Sequence, residues 1–155
     1  MARKSVRILT PYFLPDGALI SALSIAAMRG VVVDIVVPQR NDFTLVKWAM
    51  NGSLLQVLSR GCRVWLVPGP FDHSKLLLVD SIWSLSGSAN WDARSLRLNF
   101  EFDVECYSVD LGERLEALVE SKCATARRVT LEEMDGRPLL MKLRDGSARL
   151  FTPYL

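Results

Sequence analysis

His73 is the single histidine of a 155-residue chain, and the residues that follow it are of types that handle phosphate. Lys75 comes two residues later, Asp80 five after that, and a small polar cluster, Gly87-Ser88-Ala89-Asn90, follows a short apolar run. A lysine ammonium is a compact point charge for non-bridging phosphate oxygens. Hydroxyl and carboxamide groups such as Ser88 and Asn90 donate neutral hydrogen bonds to the same oxygens as charge grows on them. An imidazole can attack phosphorus or protonate the leaving oxygen. To attack, it must be held in one tautomer, usually by a carboxylate on its other nitrogen. Glu101 and Glu105 are the nearby candidates for that orienting role.

Side chains two apart on a strand point the same way. A strand over residues 74–79, with His73 at its head, puts His73 and Lys75 on one face. The same parity pairs Ser88 with Asn90. Asp80 lies an odd number of residues from His73 and Lys75, so it falls on the other face and reads as a structural anchor, as does Gly87.

The flanking chain supplies the frame. Residues 5–10 alternate as a strand, and Asp16 can cap a helix over 17–29 that Gly30 ends. Residues 31–37 are nearly all β-branched, the mark of a strand buried on both faces. A helix over 43–60, with a cap offered by Asn41 or Asp42, and a strand over 62–67 follow. Further strands are expected at 82–86 and 99–107. Asp110 is expected to cap a helix reaching residue 128, and Thr130 with Glu133 fits a capping box. Strand–helix alternation predicts an α/β fold, an α-β-α sandwich with a mixed, largely parallel central sheet. The length fits one domain over residues 1–155, with a core at about 5–128 and a C-terminal extension at 129–155.

Composition narrows the function classes. Half the residues are apolar and 23% are charged, a globular balance. A net charge of +2 with no basic stripe argues against nucleic acid as partner. No apolar run approaches the ~20 residues of a membrane span, and the N-terminus lacks the apolar core of a signal peptide. Cys62, Cys106 and Cys123 show no paired spacing, so they read as reduced thiols, and with one histidine a metal site is not expected. Trp48, Trp65 and Trp83 sit in helix or strand patterns and read as core, whereas Trp91 is expected to shape a pocket beside Asn90.

The array H-x-K-x(4)-D-x(6)-G-S-x-N resembles the phosphatidyltransfer motif of the phospholipase D superfamily. The stretch Thr10-Pro11-Tyr12-Phe13-Leu14-Pro15-Asp16, the run Gly87-Ser88-Ala89-Asn90-Trp91-Asp92-Ala93-Arg94-Ser95, and Leu98-Asn99-Phe100-Glu101 are similar to the C-terminal half of bacterial cardiolipin synthases. Trp91 departs from the leucine more usual there. The resemblance implies a phosphatidyltransferase that uses no metal or other cofactor. It would pass a phosphatidyl group between phosphatidylglycerols through a phosphohistidine, with a second histidine as acid and base. It makes His73 one of those histidines, Lys75 and Asn90 the phosphate binders, Ser88 their support and Glu101 the partner of His73.

That chemistry takes two imidazoles, and the chain has one. The expected complement is a second histidine-lysine-aspartate (HKD) motif, from another domain or from a homodimer. A homodimeric single-motif phosphodiesterase or nuclease, and a catalytically inert binding half, are the alternatives. A phospholipid substrate implies a membrane surface as partner and a place in the cytoplasm or at the periphery of the cell membrane. In the tail, Leu139, Leu140, Leu143, Leu150 and Phe151 alternate with Lys142, Arg144 and Arg149, which suits an interfacial helix. Docking of these leucines onto the helical layer is the preferred reading.

Overall fold

The computed structural model describes residues 1–41, 43–92, 95–96 and 98–152. Seven strands form one sheet: β1 (Ser5–Leu9), β3 (Val32–Pro38), β4 (Arg63–Val67), β5 (Leu76–Val79), β6 (Trp83–Gly87), β8 (Asp103–Tyr107) and β9 (Arg127–Val129). A separate pair joins β2 (Phe13–Leu14) to β7 (Trp91–Asp92). The helices are α1 (Gly17–Met28), α2 (Thr44–Leu58), α3 (Val109–Thr125), α4 (Leu131–Asp135) and α5 (Leu139–Leu150).

The strand order is β8-β6-β5-β1-β3-β4-β9. The mixed sheet is the one expected, but its parallel part is confined to β1, β3 and β4. The pairings of β5, β6, β8 and β9 are antiparallel, so "largely parallel" describes only the centre. For β5 and β6 the cause is connection length. Helices α1 and α2 are long enough to carry the chain back for parallel pairing, whereas β5 and β6 are joined by a tight turn that permits only a hairpin.

Both faces of the sheet are covered. Val6, Ile8, Val33, Ile35, Val37 and Val64 pack with α1, α2 and the C-terminal helices in one core. Leu9, Val36 and Leu76 pack with Val119 of α3 in a second. Each such fully buried side chain contributes about 1.5–3 kcal/mol. Asp34 interrupts the apolar run of β3 and is fully buried on the α3 side. It accepts hydrogen bonds from Arg63 (2.7 and 2.6 Å), Trp65 Nε1 (2.7 Å) and Arg7 (3.2 Å). This pairing with Asp34 raises the Arg63 guanidinium further above its ordinary value.

Caps follow the sequence closely. Asp16 accepts from the Leu19 amide at 2.9 Å, and Thr130 from Glu133 at 3.1 Å. Gly30 (φ +86°) and Gly61 (φ +89°) end α1 and α2 in the left-handed region that glycine enters without penalty. Two expectations fail. Ser108, not Asp110, caps α3, its hydroxyl accepting from Leu111. Phe43 occupies the cap of α2 without a side-chain bond, while Asn41 accepts the Phe43 amide at 3.2 Å. Asp42 lies outside the described residues.

The C-terminal segment is built into the fold. β9 pairs with β4, and Met134 and Ala148 join the main core. Helix α5 packs along α2, where a side chain at Gly52 would meet Asp145 and Arg149. The leucines do not dock: Asp145 and Ala148 face inward, and Leu139, Leu140, Leu143 and Leu150 face out. Trp48, Trp65 and Trp83 are half-buried rather than core. Among the described residues, no helix is long and apolar enough to cross a membrane.

Candidate active site

The site lies at the C-terminal end of the parallel strands. Two segments meet there because β2 pairs in parallel with β7, matching Phe13 with Trp91 and Leu14 with Asp92. This places Tyr12, just before β2, beside Asn90, just before β7. Together with Leu14, Phe43, Val46, Asp92, Ser95 and Asn99 they line a cleft of ≈ 230 Å³. Among the described residues, Asn90 Oδ1 is buried there without a hydrogen-bond partner.

His73 adjoins this cleft through aromatic contacts. Its ring stands edge-on to Tyr12 (centroids 6.2 Å apart) and to Phe71 (5.5 Å), and Tyr12 and Phe71 contact each other at 5.7 Å. The three rings fix where the exposed imidazole stands. Parity reasoning did not identify Tyr12 or Phe71; the signal was an aromatic directly after a proline in each loop, Tyr12 after Pro11 and Phe71 after Pro70.

Strand β5 begins at Leu76, so His73 and Lys75 precede it rather than head it. They meet all the same. Lys75 Nζ lies 2.7 Å from His73 Nδ1 and donates to the His73 carbonyl at 2.7 Å. An ammonium only donates, so Nδ1 accepts and a neutral ring carries its proton on Nε2. Partial burial pushes the Lys75 ammonium down, and Glu101 and Asp72 offset only part of that. Next door, Asp72 anchors the loop to α3 through Lys122 at 2.7 Å. Burial pushes its carboxyl up, but the bonds from Lys122 and Ser74 outweigh that and hold it down at about 2.

The polar turn is pinned to the start of β8. The Ser88 amide donates to the Phe102 carbonyl (3.0 Å), the Phe102 amide to Ser88 Oγ (2.9 Å), and the Ala89 amide to Asp103 (3.2 Å). Gly87 makes that approach possible: a Cβ there would sit 2.6 Å from Asp103 Cα and closer still to the Phe102 carbonyl. Ser88 Oγ in turn donates to Glu101 Oε2 at 2.5 Å, and Asn99 to Oε1 at 3.2 Å. These bonds hold the Glu101 carboxyl below its ordinary range. Glu101 thus grips Ser88, not His73, because β8 begins only at Asp103 and leaves Glu101 in the preceding loop. Glu105 is occupied by Tyr107 and Trp83.

Asp80 stands apart, at the far end of β5. With Ser81 it takes positive φ (54° and 57°) in the turn to β6. Its carboxylate accepts from the amides of Arg3, Lys4 and Ser5 at 2.7–2.9 Å. Burial raises its pKa, but the three amides outweigh that and lower it on balance. Trp91 packs against the main core and lines a small cleft with Lys75 and Gly87. Ala93 and Arg94 lie outside the described residues.

Comparison with known proteins fits this geometry. Residues 1–122 match a family model described as cardiolipin synthase, PLD-like domain. The chain is 37% identical over 154 residues to cardiolipin synthase 1 of Staphylococcus epidermidis and 35% identical to the major cardiolipin synthase ClsA of Bacillus subtilis. Each match covers 99% of this chain but only 31% and 32% of the relative, so the chain spans about a third of their length. Among solved structures, the phospholipase D family member Nuc from Salmonella typhimurium superposes with a TM-score of 0.73 at 23% identity, covering 83% of this chain and 84% of Nuc. Phosphatidylserine synthase from Haemophilus influenzae gives 0.70 at 20% identity, covering 99% of this chain and 42% of its own. At such identities these two speak to the fold alone.

Proposed function

Because the chain belongs to the family of cardiolipin synthase, PLD-like domains, we propose that it is one half of a phosphatidyl-transferring site. The substrate is phosphatidylglycerol, and the reaction passes a phosphatidyl group from one such lipid to another. The observation that carries the reading is Lys75 Nζ at 2.7 Å from the His73 imidazole, next to a cleft lined by Tyr12 and Asn90.

In the proposed first step, an imidazole nitrogen attacks phosphorus and the bond to the headgroup glycerol oxygen breaks. A second imidazole protonates that oxygen as glycerol leaves. In the next step the second imidazole takes the proton of a hydroxyl on the incoming phosphatidylglycerol. That oxygen attacks phosphorus, the phosphorus–nitrogen bond breaks, and cardiolipin forms. Lys75, Ser88 and Asn90 hold the non-bridging oxygens throughout. Either role of His73 needs a proton on Nδ1: the nucleophile attacks through a bare Nε2, and the acid is a doubly protonated ring. The Lys75–Nδ1 contact is therefore a resting arrangement, which phosphate oxygens end by drawing Nζ onto themselves.

The second imidazole comes from another HKD motif, in a preceding domain or a second subunit. The surface around Glu101 supports this: Leu98, Phe100, Phe102 and Val104 flank it and are all exposed, on the sheet's β8 edge. Identity of 35–38% to cardiolipin synthases over nearly the whole chain favours lipid over nucleic acid as the diester.

The test is cardiolipin formation on phosphatidylglycerol vesicles by the chain combined with the preceding two-thirds of a relative. Wild type should form cardiolipin. His73→Ala should lower the rate by at least 10²–10⁴, the range for losing a positioned acid–base group. A wild-type mixture that makes no cardiolipin yet nicks plasmid DNA overturns the lipid reading.

A further inference from the structure

We infer that the outward face of α5 is the surface on which this domain lies against an anionic phospholipid bilayer. Leu139, Leu140, Leu143, Leu150 and Phe151 are 70%, 80%, 58%, 77% and 56% exposed. At about 100° per residue, with Leu139 at zero, Leu150 falls at about 20°, Leu143 at 40°, Leu140 at 100° and Phe151 at 120°. They form one apolar arc, interrupted only by Ser147. Asp145 and Ala148, on the opposite side, are buried.

Cations border the arc. Lys142 and Arg149 fall about 60–80° before it, and Arg144 about 20° beyond it. Arg144 lies over the Trp48 ring at 4.4 Å and pairs with buried Asp145. Lys142 pairs with Asp135, itself 70% exposed and so open to exchange. Arg149 makes no ion pair among the described residues. An apolar arc with a positive border complements a bilayer of anionic headgroups; a purely apolar protein partner would leave those charges idle.

The helix also lies where a bilayer would serve the site. Arg137, just before α5, shares a cavity with Pro38 and Gln39 at the C-terminal end of β3. That is the end of the sheet from which the loops of Tyr12 and His73 emerge. The first turn of α5 thus begins at the same end of the sheet as the site. The purpose of this face rests on the phospholipid reading of the site, but binding to it does not require catalysis.

The test is cosedimentation of the chain with vesicles of phosphatidylglycerol and phosphatidylcholine, against phosphatidylcholine alone. Wild type should bind the anionic vesicles and be released by salt. Leu143→Glu/Leu150→Glu should weaken binding tenfold or more, since both side chains leave the apolar layer. Arg149→Gln should weaken it about fivefold. His73→Ala should bind as wild type, so lost catalysis with binding intact counts against the reaction and not this face. Thermal melts establish that the double variant is folded, as expected for two exposed positions. The inference is overturned if the folded double variant binds as well as wild type, or if wild type ignores anionic vesicles. It is also overturned if wild type self-associates through this face and the double variant does not.

Discussion

Gly87→Ala should cost the domain about 2–4 kcal/mol, although it adds one methyl group at an exposed position. Gly87 pairs with Asp103 at the edge of the sheet, and its new Cβ would stand 2.6 Å from Asp103 Cα, with the Phe102 carbonyl nearer still. These are backbone atoms, so no rotamer change relieves the clash. Overpacking of this kind costs about 1–3 kcal/mol. If β8 moves away, the bonds from the amides of Ser88, Ala89 and Phe102 stretch together, at about 1 kcal/mol each. The strain divides between these two routes rather than adding in full, and for a chain of this size a loss of about 2–4 kcal/mol lowers Tm by about 5–15 °C. The assay is thermal and denaturant unfolding, with hydrogen exchange at the Ser88 and Phe102 amides, which should lose protection ahead of the β1 amides. The denaturant slope should stay unchanged, because the same surface is exposed on unfolding. A variant within 0.5 kcal/mol of wild type, as is usual for surface substitutions, would refute the claim that close strand approach fixes the glycine.

Asp80→Ala removes the acceptor of three amides and leaves a non-glycine residue at positive φ; it should cost about 1–3 kcal/mol by denaturant melt, with faster exchange at Ser5. Asp72 titrates at about 2 when folded against 3.8 ordinarily, so its pairing is fully present above about pH 5 and is lost as pH falls toward 2. After allowance for solvent screening it is worth about 1 kcal/mol, and Lys122→Met should flatten that part of the stability–pH curve. Burial pushes the thiols of Cys62 and Cys123 up to about 11, so at pH 8 a thiol reagent should label them about 10²-fold more slowly than an ordinary cysteine. Inorganic phosphate should move the ¹⁵N signals of His73 from a ring protonated on Nε2 to one protonated on Nδ1; an unchanged pattern under saturating phosphate would sink the resting-contact reading.

Much of the frame was legible because local signals agreed with one another. Asp16, Thr130, Gly30 and Gly61 mark helix ends that tertiary packing then keeps. The apolar run of β3 announced a strand covered on both faces, and only Asp34 broke it. Its partners Arg7, Arg63 and Trp65 come from two other strands, and no local pattern reveals such a pairing. The site was half legible. Residue types and spacing singled out His73, Lys75, Ser88 and Asn90, and the parity that excluded Asp80 agrees with its place at the remote turn. Nearness offered Glu101, which the structure bonds to Ser88; residues 71–75 and 99–102, which carry His73 and Glu101, are irregular, so no strand rule relates them. The tail misled for a related reason. Its leucines are the apolar face, but α5 buries the opposite face through an aspartate and an alanine, held by Arg137 and Arg144.

The occupied glutamate and the resting lysine belong, on the proposed function, to one change. Nδ1 of His73 takes a hydrogen bond from Lys75, while Ser88 and Asn99 occupy the two oxygens of Glu101. A phosphate in the cleft competes for both Lys75 and Ser88, since each is a donor and the anion is the stronger acceptor. Drawing Nζ away empties Nδ1, which must then carry a proton and needs an acceptor. Drawing the Ser88 hydroxyl away frees an oxygen of Glu101. On the proposed function, one anion draws Lys75 from His73 and Ser88 from Glu101 together, which would leave Glu101 to orient the ring. The chain has one imidazole, so on the proposed function this arrangement prepares half a reaction and leaves the other half to a second motif.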